Sequence, residues 1–297
     1  MTPLTPRSTA VREAASVLAE AGVPEPRRDA TVLLRWAADI SAATLAAEPD
    51  ALLGEQSAKR FAQAVDARAR RQPVSHIIGR RAFYGRDFLV TGDVLDPRPE
   101  SEILVEAVLQ SVPNDAAAQV LDLGVGSGCL VLSVLAERPL ATGLGVDRSE
   151  AALAVAQANA AQFGLAEQLR LRAGDWLEGI DGRFDVIMCN PPYITEAEFA
   201  GLEPEVRLWE PKCALTPARP SDAPDDGLAV YRRLAPRISA ALTRTGVAFF
   251  EVGLGQARAV AGLIAAEGLE ASVLNDLGGA PRVVRAAPPQ DSVKTSV

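Results

Sequence analysis

The 297-residue sequence contains one histidine, three cysteines and only 5% aromatic residues. Cys129, Cys189 and Cys213 lie far apart and form no C-x-x-C pair, which excludes a zinc ribbon and a disulfide framework. With His76 as the one histidine and no partner pattern near it in the sequence, we expect neither a Ser-His-Asp triad nor a histidine-based metal site. We therefore expect no bound metal. We interpret His76 as a partly buried polar residue, with a role as a lone general base as the alternative.

Long apolar runs and an excess of basic residues are also missing. No apolar run approaches the roughly 18–20 residues that span a bilayer, and segment 1–11 lacks the apolar core of a signal peptide. We expect a cytoplasmic protein without a membrane partner. The 30 Lys and Arg residues against 38 Asp and Glu give a net charge of −8, which argues against stable nucleic-acid binding. The 48% apolar content excludes global disorder.

The order of apolar patterns along the sequence predicts that the chain has four consecutive segments. Residues 1–72 have helical spacing of apolar residues, as at Val32, Leu33 and Trp36, and no strand pattern, which indicates a small helical domain. In 73–98, short apolar pieces separated by glycines indicate a hairpin connector. In 99–287, strands and helices alternate, which is typical of a doubly wound parallel sheet. We expect the Pro/Ser-rich tail, 288–297, to be disordered.

A glycine-rich loop follows the first predicted strand of the sheet and precedes a helix. It reads Gly124-Val125-Gly126-Ser127-Gly128. Glycines there let the backbone approach a ligand, and the helix N-terminus offers unpaired N–H groups. The spacing is G-x-G-x-G and departs from the G-x-G-x-x-G pattern of nicotinamide sites. By itself the loop is compatible with a ligand site or with a simple tight turn.

Acidic residues after the next two strands favour the ligand site. Asp147 ends the second strand about 20 residues beyond the loop, where a carboxylate can accept both ribose hydroxyls. Its alternative role is a solvated cap of the next helix beside Ser149. Asp175 and Trp176 follow the third strand and could supply an acceptor for an adenine amino group and an aromatic face. Trp176 could equally be a core residue. The combination predicts a nucleoside-type ligand.

The most informative motif is Asn190-Pro191-Pro192-Tyr193, directly after the buried strand 186–189. Two prolines restrict φ and remove two N–H donors, so the loop is stiff and rich in acceptors. The Asn190 side-chain oxygen and the Pro191 carbonyl could bind both hydrogens of a planar amino group. Tyr193 could pack on the substrate and stabilise developing positive charge. We therefore predict that these residues bind and activate a planar –NH₂ group.

At these residues the sequence resembles the S-adenosylmethionine-dependent methyltransferases with an Asn-Pro-Pro-Tyr loop. It is most similar to the bacterial HemK/PrmC glutamine methyltransferases, which modify class I peptide chain release factors. The resemblance covers nearly the whole chain, including segments 97–102 and 251–253. Two positions depart from the family: Ser101 replaces a usual threonine and keeps the hydroxyl, and Asp96 replaces an apolar residue.

The resemblance implies a Rossmann-like α/β domain with a mostly parallel, seven-stranded sheet, preceded by a helical substrate-docking domain and a hairpin connector. It implies S-adenosylmethionine as methyl donor, S-adenosylhomocysteine as product and the Gly-Gly-Gln loop of a release factor as substrate. Gly124 to Gly128, Asp147, Trp176 and Asn190 would contact the cofactor, and Asn190 to Tyr193 would hold the glutamine amide. We expect a monomer that uses no general base.

Three other functions fit parts of the sequence. A DNA adenine methyltransferase could use the same loop, but it needs base flipping and a basic cleft, against the net charge of −8. A ribosomal-protein glutamine methyltransferase is a closer alternative, and the helical domain favours the release-factor branch. A non-catalytic S-adenosylmethionine-binding protein would have no need of paired acceptors for an amino group.

Arginines are concentrated in segment 68–86, which contains no Asp or Glu between Arg68 and Arg86. The six arginines are Arg68, Arg70, Arg71, Arg80, Arg81 and Arg86. They could steer an acidic macromolecular substrate toward the Asn190 loop, or they could form a solvated helix end and connector.

Overall fold

The chain folds into two units, each with its own core. The computed structural model describes residues 5–289. The helical unit contains the residues up to Arg80 together with Leu202–Trp209, and the sheet unit contains Arg81–Gly201 and the residues from Glu210 onward. Residues 290–297 of the predicted disordered tail lie outside the described residues. No helix in the described part of the chain is long and apolar enough to cross a membrane.

The helical unit forms because its segments present apolar stripes at helical spacing. Its first five helices are α1 (Arg7–Glu20), α2 (Pro26–Ala38), α3 (Ala42–Ala47), α4 (Glu55–Ala69) and α5 (Val74–Ile78). Leu18, Leu33 and Phe61 are fully buried in their common core. Ile77 and Ile78, expected in the hairpin connector, instead pack in helix α5 against this core. The hairpin itself is present and begins after Gly79.

The remaining elements follow the predicted alternation, with several additions. They are β1 (Arg80–Phe83), β2 (Arg86–Leu89), α6 (Glu102–Ser111), β3 (Gln119–Leu123), α7 (Cys129–Glu137), β4 (Thr142–Asp147), α8 (Glu150–Gln162), β5 (Leu169–Ala173), β6 (Phe184–Cys189), α9 (Glu196–Ala200), α10 (Pro204–Trp209), α11 (Lys212–Leu215), α12 (Ala229–Ala241), β7 (Leu242–Glu251), α13 (Ala257–Ala266), β8 (Glu270–Asn275) and β9 (Pro281–Ala287). Helices α9 to α11 and strand β8 are the additions.

The main sheet has seven strands in the order β5-β4-β3-β6-β7-β9-β8. Strands β3 to β7 pair in parallel, and β9 pairs antiparallel with both β7 and β8. This confirms the predicted Rossmann-like, mostly parallel sheet. Successive residues of a strand face opposite sides of the sheet. Val120 and Phe249 pack in the apolar layer with α6, α7 and α8. Leu121 and Phe250 pack in the layer with α12 and α13.

Most of the arginines in segment 68–86 bind carboxylates that lie far away in the sequence. Arg68 is buried and binds Asp29 and Glu205, at 2.8 Å each. Arg71 binds both oxygens of Glu205, at 2.8 and 2.6 Å, and these hydrogen bonds fix α10 within the helical unit. Burial opposes ionisation of Glu205, but the bonds from Arg71 and Arg68 lower its pKa.

The other arginines differ in their surroundings. Arg81 lies 3.6 Å from Asp96, and Arg86 lies 2.7 Å from Glu137, both within the sheet unit. Arg70 and Arg80 are exposed. Arg70 pairs with Asp66 one helical turn before it. The segment is therefore not a uniform basic surface, because five of its six arginines lie beside a carboxylate.

A carboxyl group lies inside the central strand β3. Asp122 is 1% exposed, and neither carboxyl oxygen has a hydrogen-bond partner among the described residues. Burial is the main cause that raises the pKa of Asp122 to about 7, and the charge of Asp147 contributes to the same rise. The folded protein therefore favours a neutral Asp122 at moderately acidic pH.

The prediction concerns Asp122→Asn, which removes this titration and keeps the shape of the side chain. Between about pH 4 and about pH 7, Asp122 is ionised in the unfolded wild type but keeps its proton in the folded wild type. The free energy of unfolding of the wild type therefore falls as the pH rises through this range, whereas that of the variant does not change through this group. At about 1.4 kcal/mol per pKa unit, the difference in free energy of unfolding between variant and wild type grows by up to about 4 kcal/mol across this range. Urea unfolding across this pH range measures it, and parallel stability curves for the two proteins would contradict the prediction.

Candidate active site

The candidate site lies at the carboxyl edge of the parallel strands. The chain runs from β3 outward to β4 and β5 on one side, and then continues with β6 on the other side of β3. Ligands in such sheets bind at the carboxyl ends near this reversal of strand order. Gly124, Asp147 and Asn190 lie at the ends of β3, β4 and β6, and all three line one cavity.

The glycine loop needs glycine at three positions. Gly124, Gly126 and Gly128 have φ of +76°, +52° and +80°, which L side chains rarely adopt. The N–H groups of Gly124 and Val125 both donate to the Val146 carbonyl, at 2.8 and 3.0 Å. These bonds hold the loop against the end of β4.

Asp147 is connected to the glycine loop by its carboxylate. Its Oδ2 accepts the Gly126 N–H at 3.0 Å, and its Oδ1 accepts the Ser149 N–H at 2.9 Å. Ser149, and not Asp147, caps helix α8, because its hydroxyl accepts the Ala152 N–H. Each carboxylate oxygen has more than one lone pair, so Asp147 retains acceptor capacity toward the cavity.

Asp175 and Trp176 line the cavity from the end of β5. The Asp175 carboxylate forms a 2.8 Å ion pair with Arg233, another cavity residue that the sequence did not single out. Trp176 has φ of +57°, and its ring lies against the backbone of Gly124, where an added Cβ would be 3.3 Å from Cζ3. Trp176 also packs against the apolar layer that contains α12 and α13, so it belongs both to the cavity wall and to the core.

The Asn190 side chain is fixed from behind the cavity. Its Nδ2 donates to the Ser101 hydroxyl at 3.2 Å. This bond leaves the amide oxygen Oδ1 as the free acceptor of Asn190. Pro191 and Pro192 are buried, and neither can donate a backbone hydrogen bond. The loop therefore carries acceptors in a restricted backbone, as the motif predicted.

Tyr193 is not among the residues of the cavity wall. Its carbonyl accepts the Gln256 amide at 3.1 Å, and its ring would be 3.0 Å from a Cβ placed on Gly253. Burial raises the pKa of Tyr193 to about 12, and the charge of Glu251 adds to this effect, so the phenol stays neutral. In the described structure the cavity walls include Gly124 to Ser127, Asp147, Asp175, Trp176, Asn190 and Pro192, but not Gly128, Pro191 or Tyr193.

Glu251 and Ser101 complete the surroundings of Asn190. Glu251 is the last residue of β7, is 2% exposed, and its Oε2 has no hydrogen-bond partner in the described part of the chain. Burial raises the pKa of Glu251 to about 7, while hydrogen bonding from Ser101 lowers it. Both residues belong to segments that resembled the family, but only the structure places them beside Asn190. Among residues 5–289, no group of three or more acidic, cysteine or histidine side chains could hold a metal ion.

A buried asparagine links the hairpin to the site. Asn159 of α8 exchanges hydrogen bonds with the backbone of Leu89, at 2.7 and 3.0 Å. Its Nδ2 also donates to the carbonyl of Ser127 in the glycine loop, at 2.8 Å. Strand β2, helix α8 and the glycine loop therefore meet at one side chain, which no local pattern in the sequence indicated.

Comparisons with known proteins agree with this geometry. A family model described as the PrmC N-terminal domain matches residues 9–79, and one described as the methyltransferase small domain matches residues 98–202. A solved methyltransferase from Pyrococcus furiosus shares the fold, with a TM-score of 0.51 at 15% identity over 69% of this chain and 90% of that chain.

Sequence relatives are much more similar. The release factor glutamine methyltransferase of Cereibacter sphaeroides is 49% identical over 94% of this chain and 98% of its own length. That of Caulobacter vibrioides is 43% identical over 90% of this chain and 91% of its own length. Identity at this level along nearly the full length confirms the resemblance inferred from the motifs: the chain belongs to the release factor glutamine methyltransferase family.

Proposed function

We propose that this chain transfers a methyl group from S-adenosylmethionine to the side-chain amide nitrogen of a glutamine in a class I peptide chain release factor. The observation that carries the proposal is the Asn190 side chain, which faces the cavity with its Nδ2 bound to Ser101 and its Oδ1 free. The printed names of the relatives support the choice of substrate.

The residues of the cavity fit S-adenosylmethionine. The left-handed glycines leave the loop without side chains where a ligand approaches, and the buried Ser127 hydroxyl has no partner among the described residues. Asp147 would accept the ribose hydroxyls, and Asp175 and Trp176 would border the adenine. When bound, the cofactor supplies an electrophilic methyl group on a sulfonium.

The protein's contribution is orientation and electrostatics, because an amide nitrogen is a weak nucleophile. The Asn190 Oδ1, on the cavity wall, and the carbonyl of the next residue, Pro191, which is not itself a wall residue, would accept the two hydrogens of the substrate amide. Their hydrogen bonds strengthen as the nitrogen gains positive charge, which stabilises the transition state more than the ground state. Orientation alone can contribute about 7–11 kcal/mol. The proton can leave after transfer, so no general base is needed.

The direct test is incubation of the purified chain with methyl-labelled S-adenosylmethionine and a class I release factor, followed by mass mapping. We expect one methyl group on the glutamine of the Gly-Gly-Gln loop and none on a release factor with that glutamine replaced by glutamate. Label on another residue, or on DNA in place of protein, would refute the proposal.

The first prediction concerns Asp147→Ala, which removes the proposed acceptor of the ribose hydroxyls. Charge-assisted hydrogen bonds contribute roughly 1.5–3 kcal/mol each, so we expect the Kd for S-adenosylmethionine to rise at least about tenfold. Calorimetric titration measures it. Asp181→Ala, at an exposed position outside the cavity wall, makes the same charge change and should bind normally. Unchanged affinity of the Asp147 variant would remove this residue from the cofactor site.

A second prediction concerns Asn190→Ala. The substitution deletes an acceptor aimed at developing charge, and such losses lower the rate by about 10²- to 10³-fold. Single-turnover methylation of the release factor measures the rate, and an unchanged melting temperature shows that the fold is intact. Equal rates in variant and wild type would exclude amide binding by Asn190.

A third prediction concerns docking of the protein substrate by the exposed arginines. Replacing Arg70 and Arg80 with serine should lower kcat/KM on the intact release factor most at low salt, because steering fades as the Debye length shortens toward 8 Å or less. Activity on a short glutamine peptide should stay the same. The control replaces Arg12 and Arg28, which are also exposed in the helical unit. If peptide and protein substrates lose activity equally, the docking role is wrong.

A further inference from the structure

Three polar side chains meet behind the Asn-Pro-Pro-Tyr loop. Asn190 donates its Nδ2 to the Ser101 hydroxyl at 3.2 Å, and both side chains lie close enough to Glu251 to lower the pKa of its carboxyl group against the effect of burial. Ser101 is 3% and Glu251 2% exposed. Only Asn190 and Ser101 of the three line the cavity. The cluster is therefore a buried support for the one side chain that offers the key acceptor.

The sheet places these groups together through strand register. Cys189 of β6 pairs with Phe250 of β7, so Asn190 and Glu251 are the next residues along two parallel strands. The backbone of Glu251 is fixed in turn, because its carbonyl accepts the buried Tyr231 hydroxyl at 2.7 Å. Ser101 comes from the short turn Pro99–Ser101 that leads into α6.

An asparagine side chain needs such support because its amide has two orientations of nearly the same shape. In one orientation Oδ1 faces the cavity and can accept the substrate amide. In the other, the Asn190 –NH₂ would face the substrate –NH₂, and two donors would oppose each other. Only a polar partner on the buried side distinguishes the two orientations.

The Ser101 hydroxyl can select the orientation with Oδ1 toward the cavity if it accepts a hydrogen bond from the Asn190 Nδ2 and donates its own hydrogen to another group. A hydroxyl has one hydrogen to donate and two lone pairs with which to accept. An ionised Glu251 only accepts, so it takes the Ser101 hydrogen and leaves the lone pairs of the hydroxyl for Asn190. Burial opposes this ionised state most and raises the pKa of Glu251 to about 7, whereas Ser101, Arg282 and Asn190 favour ionisation, so the carboxylate form predominates above about pH 7.

We propose that Ser101 and Glu251 are positioning residues that hold the Asn190 amide with Oδ1 toward the substrate and Nδ2 toward the protein. This inference rests on the proposed function, because it concerns the same acceptor. A threonine at position 101 would supply the same hydroxyl and differ by one methyl group, which makes it the conservative variant.

The first arm of the test compares Ser101→Ala with Ser101→Thr. We expect kcat on the release factor to fall about tenfold in the alanine variant and to return to within about twofold of wild type in the threonine variant. The Kd for S-adenosylmethionine should stay within about twofold in both. Ser111→Ala, at the opposite end of the helix that follows Ser101, is the matched control and should keep wild-type kcat.

The second arm uses Glu251→Gln, because a glutamine amide can donate to the Ser101 hydroxyl and compete with Asn190. We expect a several-fold loss of kcat without a change in the cofactor Kd. Glu267→Gln, in the exposed turn after α13, is the control.

A readout independent of catalysis is the exchange of the Asn190 side-chain –NH₂ hydrogens. NMR of protein with ¹⁵N-asparagine follows it, and the signal is assigned by its loss in Asn190→Ala. We expect slow exchange in wild type and the threonine variant, and exchange at least about tenfold faster in Ser101→Ala and Glu251→Gln. Unchanged exchange and unchanged kcat in both of these variants would overturn the positioning role. Wild-type protein that methylates no glutamine would instead defeat the proposed function, and the exchange measurement would still decide how Asn190 is held.

Discussion

The parallel pairing of β3 with β6 is the constraint on which the rest of the site depends. It brings the carboxyl end of β3, which the glycine loop follows, next to the carboxyl end of β6, which Asn190 follows. Pairing of β3 with β4 adds Asp147, and pairing of β6 with β7 adds Glu251. One edge of one sheet thus brings together a glycine loop, a carboxylate beside it and the side-chain oxygen of Asn190. None of these groups would be close if the strand order were different.

The same constraint separates the cavity side of the site from its buried side. Residues that face the cavity, such as Asp147 and Asn190, keep acceptor capacity after their bonds to the protein are made. Residues behind them, such as Glu251 and Asp122, are buried, and burial raises the pKa of both carboxyl groups to about 7. The protein thus places two carboxyl groups in surroundings that disfavour their ionisation, next to the site.

The fold and the outline of the site could be predicted because their signals are local. Short apolar runs marked β3, β4 and β6, a glycine loop followed β3, and the prolines after Asn190 marked a restricted loop. Strand β8 was missed because most of its residues are exposed, as expected for an edge strand, and its sequence lacks a buried face. The antiparallel pairing of β9 depends on its neighbours and has no local pattern.

Long-range polar contacts could not be predicted in this way. Arg71 appears in the sequence as one of a group of unpaired arginines, yet its carboxylate partner Glu205 is 134 residues away. Ser101 and Glu251 lie 89 residues before and 61 residues after Asn190, respectively, and their proximity follows only from the assembled sheet. Local sequence determines which residues can form such bonds, and topology determines which of them do.

The central claim is that Asn190 and Pro191 accept the two hydrogens of a glutamine amide. A crystal structure with S-adenosylhomocysteine and a Gly-Gly-Gln peptide tests this claim most directly. The account predicts the glutamine Nε2 at about 2.7–3.2 Å from both the Asn190 Oδ1 and the Pro191 carbonyl oxygen, with the Asn190 Nδ2 still bound to Ser101. A glutamine amide bound elsewhere, or an Asn190 side chain with its nitrogen toward the peptide, would contradict it.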